Sequence, residues 1–290
     1  MIKVIIRQNT IKLTSFILCL CWLTVNANAG DSYLWLANSD SSPSITERVT
    51  APIGFERRPI PAGSFEDWLR HLPTKKGSPP VHLFDGTLKA NQNAHFAVID
   101  IDTGDKDLQQ CADAVIRLRA EYLYSLSRYN DIHFDFTSGD KASFRKWING
   151  YRPVVTLNLV SWFRSSKVDS SYASFRSYLE IVFRYAGTYS LKKELQSVNN
   201  PLDMKIGDIF IQGKTSAHPG HAVIVVDMAF DTIINQKIFL LAQSYMPAQE
   251  IHILKNPTDK NLSPWYKIEP GKSVLTPEWT FEIGDLMRFK

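Results

Sequence analysis

The chain has 290 residues, a formal net charge of +4, 44% hydrophobic residues and three cysteines. That length and apolar content are enough to bury a large core, which excludes a disordered chain and a small disulfide-dense scaffold. The basic residues form no stripe or cluster, so there is no basis for nucleic-acid binding.

The first 29 residues read as a secretory signal peptide. Lys3, Arg7 and Lys12 make a basic start, Leu13 to Val25 an apolar run, and Ala27-Asn28-Ala29 an A-x-A cleavage site before Gly30. The run is short for an anchor, and nothing later approaches the ~20 apolar residues of a spanning helix, so no membrane span is expected after cleavage. Cys19 and Cys21 lack the small preceding residues of a lipoprotein site. The expected location is therefore exported, periplasmic or extracellular. Cleavage takes 29 residues from 290 to leave 261, and removing three basic and no acidic residues takes the charge from +4 to +1. It also leaves Cys111 as the sole cysteine, so no disulfide can form within the mature chain.

Residues 30–62, rich in Ser, Pro and Arg with an apolar clump at Tyr33 to Ala37, read as an extended lead-in to a single domain over 63–290. Ser64 to Leu72 predicts a short Ser-capped helix stopped by Pro73. Val81 to Phe84 predicts a strand ended by Asp85-Gly86, and Ala94 to Ile101 a second strand. A long helix is predicted from Asp107, with Asp107 and Gln110 as a D-x-x-Q variant of the capping box. Its apolar face is Leu108, Cys111, Ala112, Val115, Leu118, Tyr122 and Leu126, with Arg117, Arg119 and Glu121 elsewhere. His133 to Phe136 predicts a strand, Ala142 to Ile148 a short helix, and Asp169 to Ala186 a second strong helix capped by Asp169 or Ser170, with core aromatics Tyr172, Phe175, Tyr178 and Phe183. The period then changes. Asp208 to Gln212, His221 to Phe230, Lys237 to Ser244 and Ile251 to Leu254 predict strands of an antiparallel run, and helices followed by strands give the α+β class.

Cys111 stands in the first turn of its predicted helix, where partial positive charge and free N–H groups favour a thiolate. His221 is the candidate base, at the mouth of an apolar strand behind Pro219-Gly220. If Ala229 or Phe230 pairs near Lys237 or Ile238, His221 falls opposite Tyr245 to Pro247, and a slip or bulge brings Gln243 within reach to orient the ring. An oxyanion hole would combine the Cys111 N–H with one further donor from Gln109, Gln110, Asn93 or His95.

Cysteine at a helix start, then Gly207-Asp208-Ile209-Phe210, then Gly220-His221-Ala222-Val223-Ile224-Val225-Val226, then a strand with a polar residue, resembles the NlpC-like and CHAP cysteine peptidases and amidases. The resemblance implies a papain-like (NlpC-like) core, N-terminal helices packed on a C-terminal antiparallel sheet, with Cys111, His221 and Gln243 as nucleophile, base and orienting residue. It covers only Asp107 to Arg128 and Lys205 to Ser244. No Asp precedes Cys111, no Ser-Gly follows it, and the offset of 110 residues from 111 to 221 makes 133–204 an insertion or a differently arranged lobe.

More of the chain resembles an exported bacterial family known as domain of unknown function 4846. The resemblance lies in residues 107–114, 117–124, 134–139, 207–212, 220–227 and Leu241-Ala-Gln-Ser-Tyr-Met-Pro-Ala-Gln-Glu250. It implies the domain and no activity.

The expected function is a thiol hydrolase of an amide or peptide bond, with peptidoglycan or a peptide as substrate and no cofactor. Its rival is a non-catalytic envelope module that binds glycan or a protein partner and in which Cys111 is a small core residue. A metal site would draw on His218 and His221 with His95, His133 or Asp227. His-Pro-Gly-His lies in a turn, lacks a helical H-x-x-x-H register and fixes no third ligand, so no metal is assigned.

Overall fold

The computed structural model describes residues 33–36, 42–269 and 271–290. The signal-peptide reading concerns 1–29, outside the described residues. Where a lead-in without helix was expected, Ser44-x-x-Glu47 caps a short helix, α1 (Ile45–Arg48), with the Glu47 carboxylate accepting from the Ser44 N–H at 2.7 Å. α2 (Phe65–Arg70) begins where Ser64 Oγ accepts from the Asp67 N–H at 3.1 Å. The strand expected at Val81 to Phe84 is only a pair of isolated bridges, His82 to Leu88 and Leu83 to Gln249. Asp85 accepts from Thr87 N–H at 3.0 Å and folds the run back on itself before a ladder can extend. β1 (His95–Val98) is the regular part of the second predicted strand.

The long helix, α3 (Cys111–Ser125), starts later than predicted, with Gln110 as its cap residue. Asp107 is engaged elsewhere: its carboxylate accepts from Gln110 Nε2 at 3.0 Å and from the Ala248 N–H at 2.7 Å. Asp113 accepts from the Gln110 N–H instead, at 3.1 Å. Two residues placed off the apolar face are also corrected. Arg117 and Glu121 are buried, bonded to each other at 2.8 Å, with Arg117 also on Gln109 Oε1 at 2.6 Å and Asp102 at 3.0 Å. Mutual pairing lets charge enter the core where spacing alone forbids it. Leu126, counted with the face, is exposed past the helix end.

β2 (His133–Asp135) and β3 (Lys141–Ser143) form a ribbon leading into α4 (Phe144–Ile148). β4 (Tyr151–Thr156) and β5 (Leu159–Arg164) make a hairpin, mostly exposed, that was not foreseen. α5 (Tyr172–Tyr185), capped by Ser171, buries Phe175, Tyr178 and Phe183 as expected, and α6 (Thr188–Glu194) follows.

The C-terminal part is a large antiparallel sheet, so the chain is α+β. It holds β6 (Gln196–Ser197), β7 (Ile209–Gln212), β8 (His221–Asp231), β9 (Gln236–Gln243), β10 (His252–Leu254), β11 (Tyr266–Lys267) and, after the small hairpin of β12 (Val274–Leu275) and β13 (Thr280–Phe281), β14 (Leu286–Arg288). The order is β1-β10-β9-β8-β7-β14-β6, with β11 also on β9. β8 is buried from His221 to Ala229, because both its faces are covered; α2 and α3 pack against it.

The β8–β9 register pairs Ala229 with Ile238 and Phe230 with Lys237, then shifts at a bulge between Val225 and Asp227. Beyond the bulge Ile224 faces Ala242, a register that sets Gln243 opposite Val223, the residue on the same face as His221.

Candidate active site

Gly220 fixes the entry to β8. A Cβ there would meet Thr188 Oγ1 at 2.0 Å, Gln212 O at 2.5 Å and Lys214 N at 2.6 Å, so only glycine lets the strand start against its neighbours. The next residue, His221, is fully buried at 0% exposure. Its Nε2 stands 2.8 Å from Gln243 Oε1, and its Nδ1 is buried without a partner.

The tautomer follows from what lies behind Gln243. Its Nε2 is 2.9 Å from Glu278 Oε2 and 3.4 Å from His252 Nε2. A carboxylate only accepts, so the amide nitrogen must face Glu278 and the amide oxygen must face His221. His221 then carries its proton on Nε2, and Nδ1 holds a free lone pair. His252 donates from Nδ1 to Glu250 O at 2.8 Å, which leaves its Nε2 able to accept from Gln243. Lys89 closes the chain as the ion-pair partner of Glu278.

Cys111 is the first residue of α3 and 4% exposed. Backbone N–H groups of Ala222, Ala112 and Cys111 itself face the sulfur and favour a thiolate, but burial and the Asp113 carboxylate outweigh them and push the thiol up to about 12. Burial likewise pushes His221 down to about 4, against the bond its Nε2–H gives to Gln243 Oε1. The resting pair is therefore a neutral thiol and a neutral imidazole. The Ala222 N–H near the sulfur belongs to the residue after His221, so the start of α3 lies beside the start of β8. They share no hydrogen bond.

The other residues singled out in the sequence have other partners or are exposed. Gln109 bonds Arg117 through Oε1 at 2.6 Å, and Gln110 bonds Asp107 through Nε2 at 3.0 Å. Asn93 is exposed, and His95 Nε2 stands 3.1 Å from Pro79 O. Asp227 lies at the bulge, bound at 2.7 Å by both Arg57 and Arg70, and His218 is exposed. Among the described residues no three His, Cys, Asp or Glu side chains are grouped as metal ligands.

Glu278, His252, Lys89 and Trp279 were not anticipated. His252 pairs across from Gln243 and could have been counted had the register been carried to the next strand. Glu278 and Trp279 sit in the β12–β13 turn, where no periodicity announces them. Trp279 and Phe281 lie with ring centroids 5.1 and 5.8 Å from the His221 ring, so this hairpin covers the histidine.

The family model described as Domain of unknown function (4846) matches residues 45–288. The chain belongs to this family. The unknown-function domain so defined takes in α1 and ends on β14, and thus spans every residue of the site. No curated protein and no solved structure matches the chain.

Proposed function

We propose that the chain is an exported papain-like thiol hydrolase that cleaves an amide or peptide bond, with peptidoglycan as the substrate class available to an exported protein. One observation carries the reading: the unpartnered Nδ1 of a His221 ring fixed by Gln243, beside the strand residue whose N–H meets the Cys111 sulfur. A catalytic base needs one nitrogen anchored and the other free, and this ring has both. In the reaction His221 Nδ1 takes the Cys111 proton as sulfur attacks the carbonyl carbon. The N–H groups of Cys111 and Ala222 are the donors at hand for the oxyanion. The C–N bond then breaks, Nδ1–H protonates the leaving amine, and water hydrolyses the thioester to acid and free thiol. Substrate access requires the β12–β13 hairpin to move off the site.

A second reading rests on the 4% exposure of Cys111 and its raised pKa. In it the thiol is core, the polar chain is structural, and the protein is a non-catalytic module binding envelope glycan or a protein partner.

Isolated peptidoglycan and its peptides, incubated with the mature chain and followed for new amino groups, separate the two. Amine release abolished by Cys111→Ser in a folded protein is the expected result. Sacculus binding without amine release, unchanged in Cys111→Ser, would establish the second reading.

A further inference from the structure

Further along α3 from Cys111, the helix together with α2, the turn at 205–208 and the end of β14 lines a pocket of about 300 Å³. Arg119, Arg128, Lys205 and Arg288 line it against Glu66 and Asp208, four cations to two carboxylates. Two of the cations are already matched. Arg288 holds Asp208 at 2.6 and 2.8 Å, and Arg128 holds Asp131 at 2.7 Å. Among the described residues Glu66 makes no ion pair, and neither the Arg119 guanidinium nor the Lys205 ammonium has a hydrogen-bond partner.

Arg119 is the informative member. Its guanidinium carbon lies 4.9 Å from the Phe65 ring centre, 5.3 Å from Phe289 and 5.7 Å from Tyr122, whose hydroxyl is tied to Gly63 O at 3.0 Å. Arg117, earlier on the same helix, shows how this chain satisfies a structural arginine: it has acceptors at Glu121, Gln109 and Asp102. Arg119 has ring faces and, among the described residues, no acceptor. Aromatic faces offset part of the cost of removing a cation from water but leave its N–H groups unmet. Burial and the neighbouring Arg128 accordingly lower its pKa. A guanidinium held in place by rings, with its donors unused at a pocket wall, is preorganised for a planar or tetrahedral anion.

We propose that this pocket binds a small anion through a phosphate or carboxylate group, with Arg119 as the bidentate partner, Lys205 as the second cation and the rings of Phe65, Tyr122 and Phe289 flanking the rest of the ligand. The proposal is independent of any chemistry at Cys111.

Isothermal titration of the mature chain with inorganic phosphate and with benzoate, at constant ionic strength, tests it. Saturable binding of one or both probes is expected, weakened about tenfold or more in Arg119→Gln, which is ~1.4 kcal/mol. Phosphate alone saturating assigns a phosphoryl ligand, and benzoate alone a carboxylate on a planar body. Arg145→Gln removes an exposed charge on α4 and should change nothing. Lys205→Met, at an exposed position, should also weaken binding and serves if Arg119→Gln does not fold. Saturation by neither probe, or equal weakening by Arg145→Gln, overturns the site.

Discussion

The proton on the His221 ring is placed by a carboxylate that the ring does not touch. Glu278 turns the Gln243 amide, and the amide oxygen then requires a donor at Nε2. Nitrogen-15 spectra of histidine-labelled protein should show Nε2 protonated and Nδ1 bare at neutral pH, and still so at pH 5, since burial holds the pKa near 4. The sign for stability follows. Between the ordinary histidine value of 6.5 and about 4 the unfolded chain takes a proton that the folded ring refuses, so the contribution of His221 to stability falls as pH drops through that window. A ring protonated on Nδ1 at pH 7 would reverse the amide assignment. The thiol offers a second test. With its pKa pushed up to about 12, iodoacetamide labelling of Cys111 should climb about tenfold per pH unit through pH 10, where an ordinary thiol has levelled off. A plateau near pH 9 would mean the sulfur is solvated.

At the scale of elements, the His221 ring is covered by one short hairpin whose carboxylate, Glu278, ties it to the buried polar chain. Glu278 bonds Gln243 and pairs with Lys89, while Trp279 lies against the His221 ring and donates to Gln212 Oε1 at 3.0 Å. Glu278→Ala removes that tie and leaves Lys89 without its counter-charge. Alkylation of Cys111 at pH 8 should then speed up by about tenfold or more, with the fold intact by circular dichroism. An unchanged rate would show that something other than β12–β13 shields the thiol. The parts of the candidate site whose positions were legible in the sequence were those with local markers: Cys111 in the first turn of an amphipathic helix, His221 behind Pro219-Gly220, and Gln243 within a bulge of it by hairpin counting. Ala229 and Phe230 meet Ile238 and Lys237 as counted, and the bulge between Val225 and Asp227 supplies the shift. Glu278 was invisible because its role depends on where a turn lands. The cap at Asp107 was misread because the Ala248 N–H, 141 positions away, takes part in holding its carboxylate. Burial of Arg117 was misread because its acceptors Asp102, Gln109 and Glu121 are recognisable as a set only once folded.

The molecule as a whole is tied together at β8, and the buried acid on that strand shows how. Asp227, 0% exposed, accepts from Arg57 Nε and Arg70 Nε, each at 2.7 Å, while Arg70 also reaches Met228 O at 3.1 Å. Glu56 meanwhile bridges to Phe230, so the segment from α1 to α2 is fastened along the far half of the strand whose near end carries His221. Removing the acid leaves two guanidinium groups facing a neutral site, one of them in the core. Breaking one side of a buried pair typically costs about 3–5 kcal/mol. Asp227→Asn should therefore lower the urea midpoint by that equivalent, and Arg57→Met in the same background should recover part of it, since fewer charges then lack a partner. His221 opens the strand six residues before Asp227 and is bonded to Gln243 rather than to the ion cluster, so its neutral Nε2 tautomer should persist in whatever fraction of Asp227→Asn remains folded. Loss of less than about 1 kcal/mol would place the fastening in the apolar contacts of α2 and α3 rather than in this ion cluster.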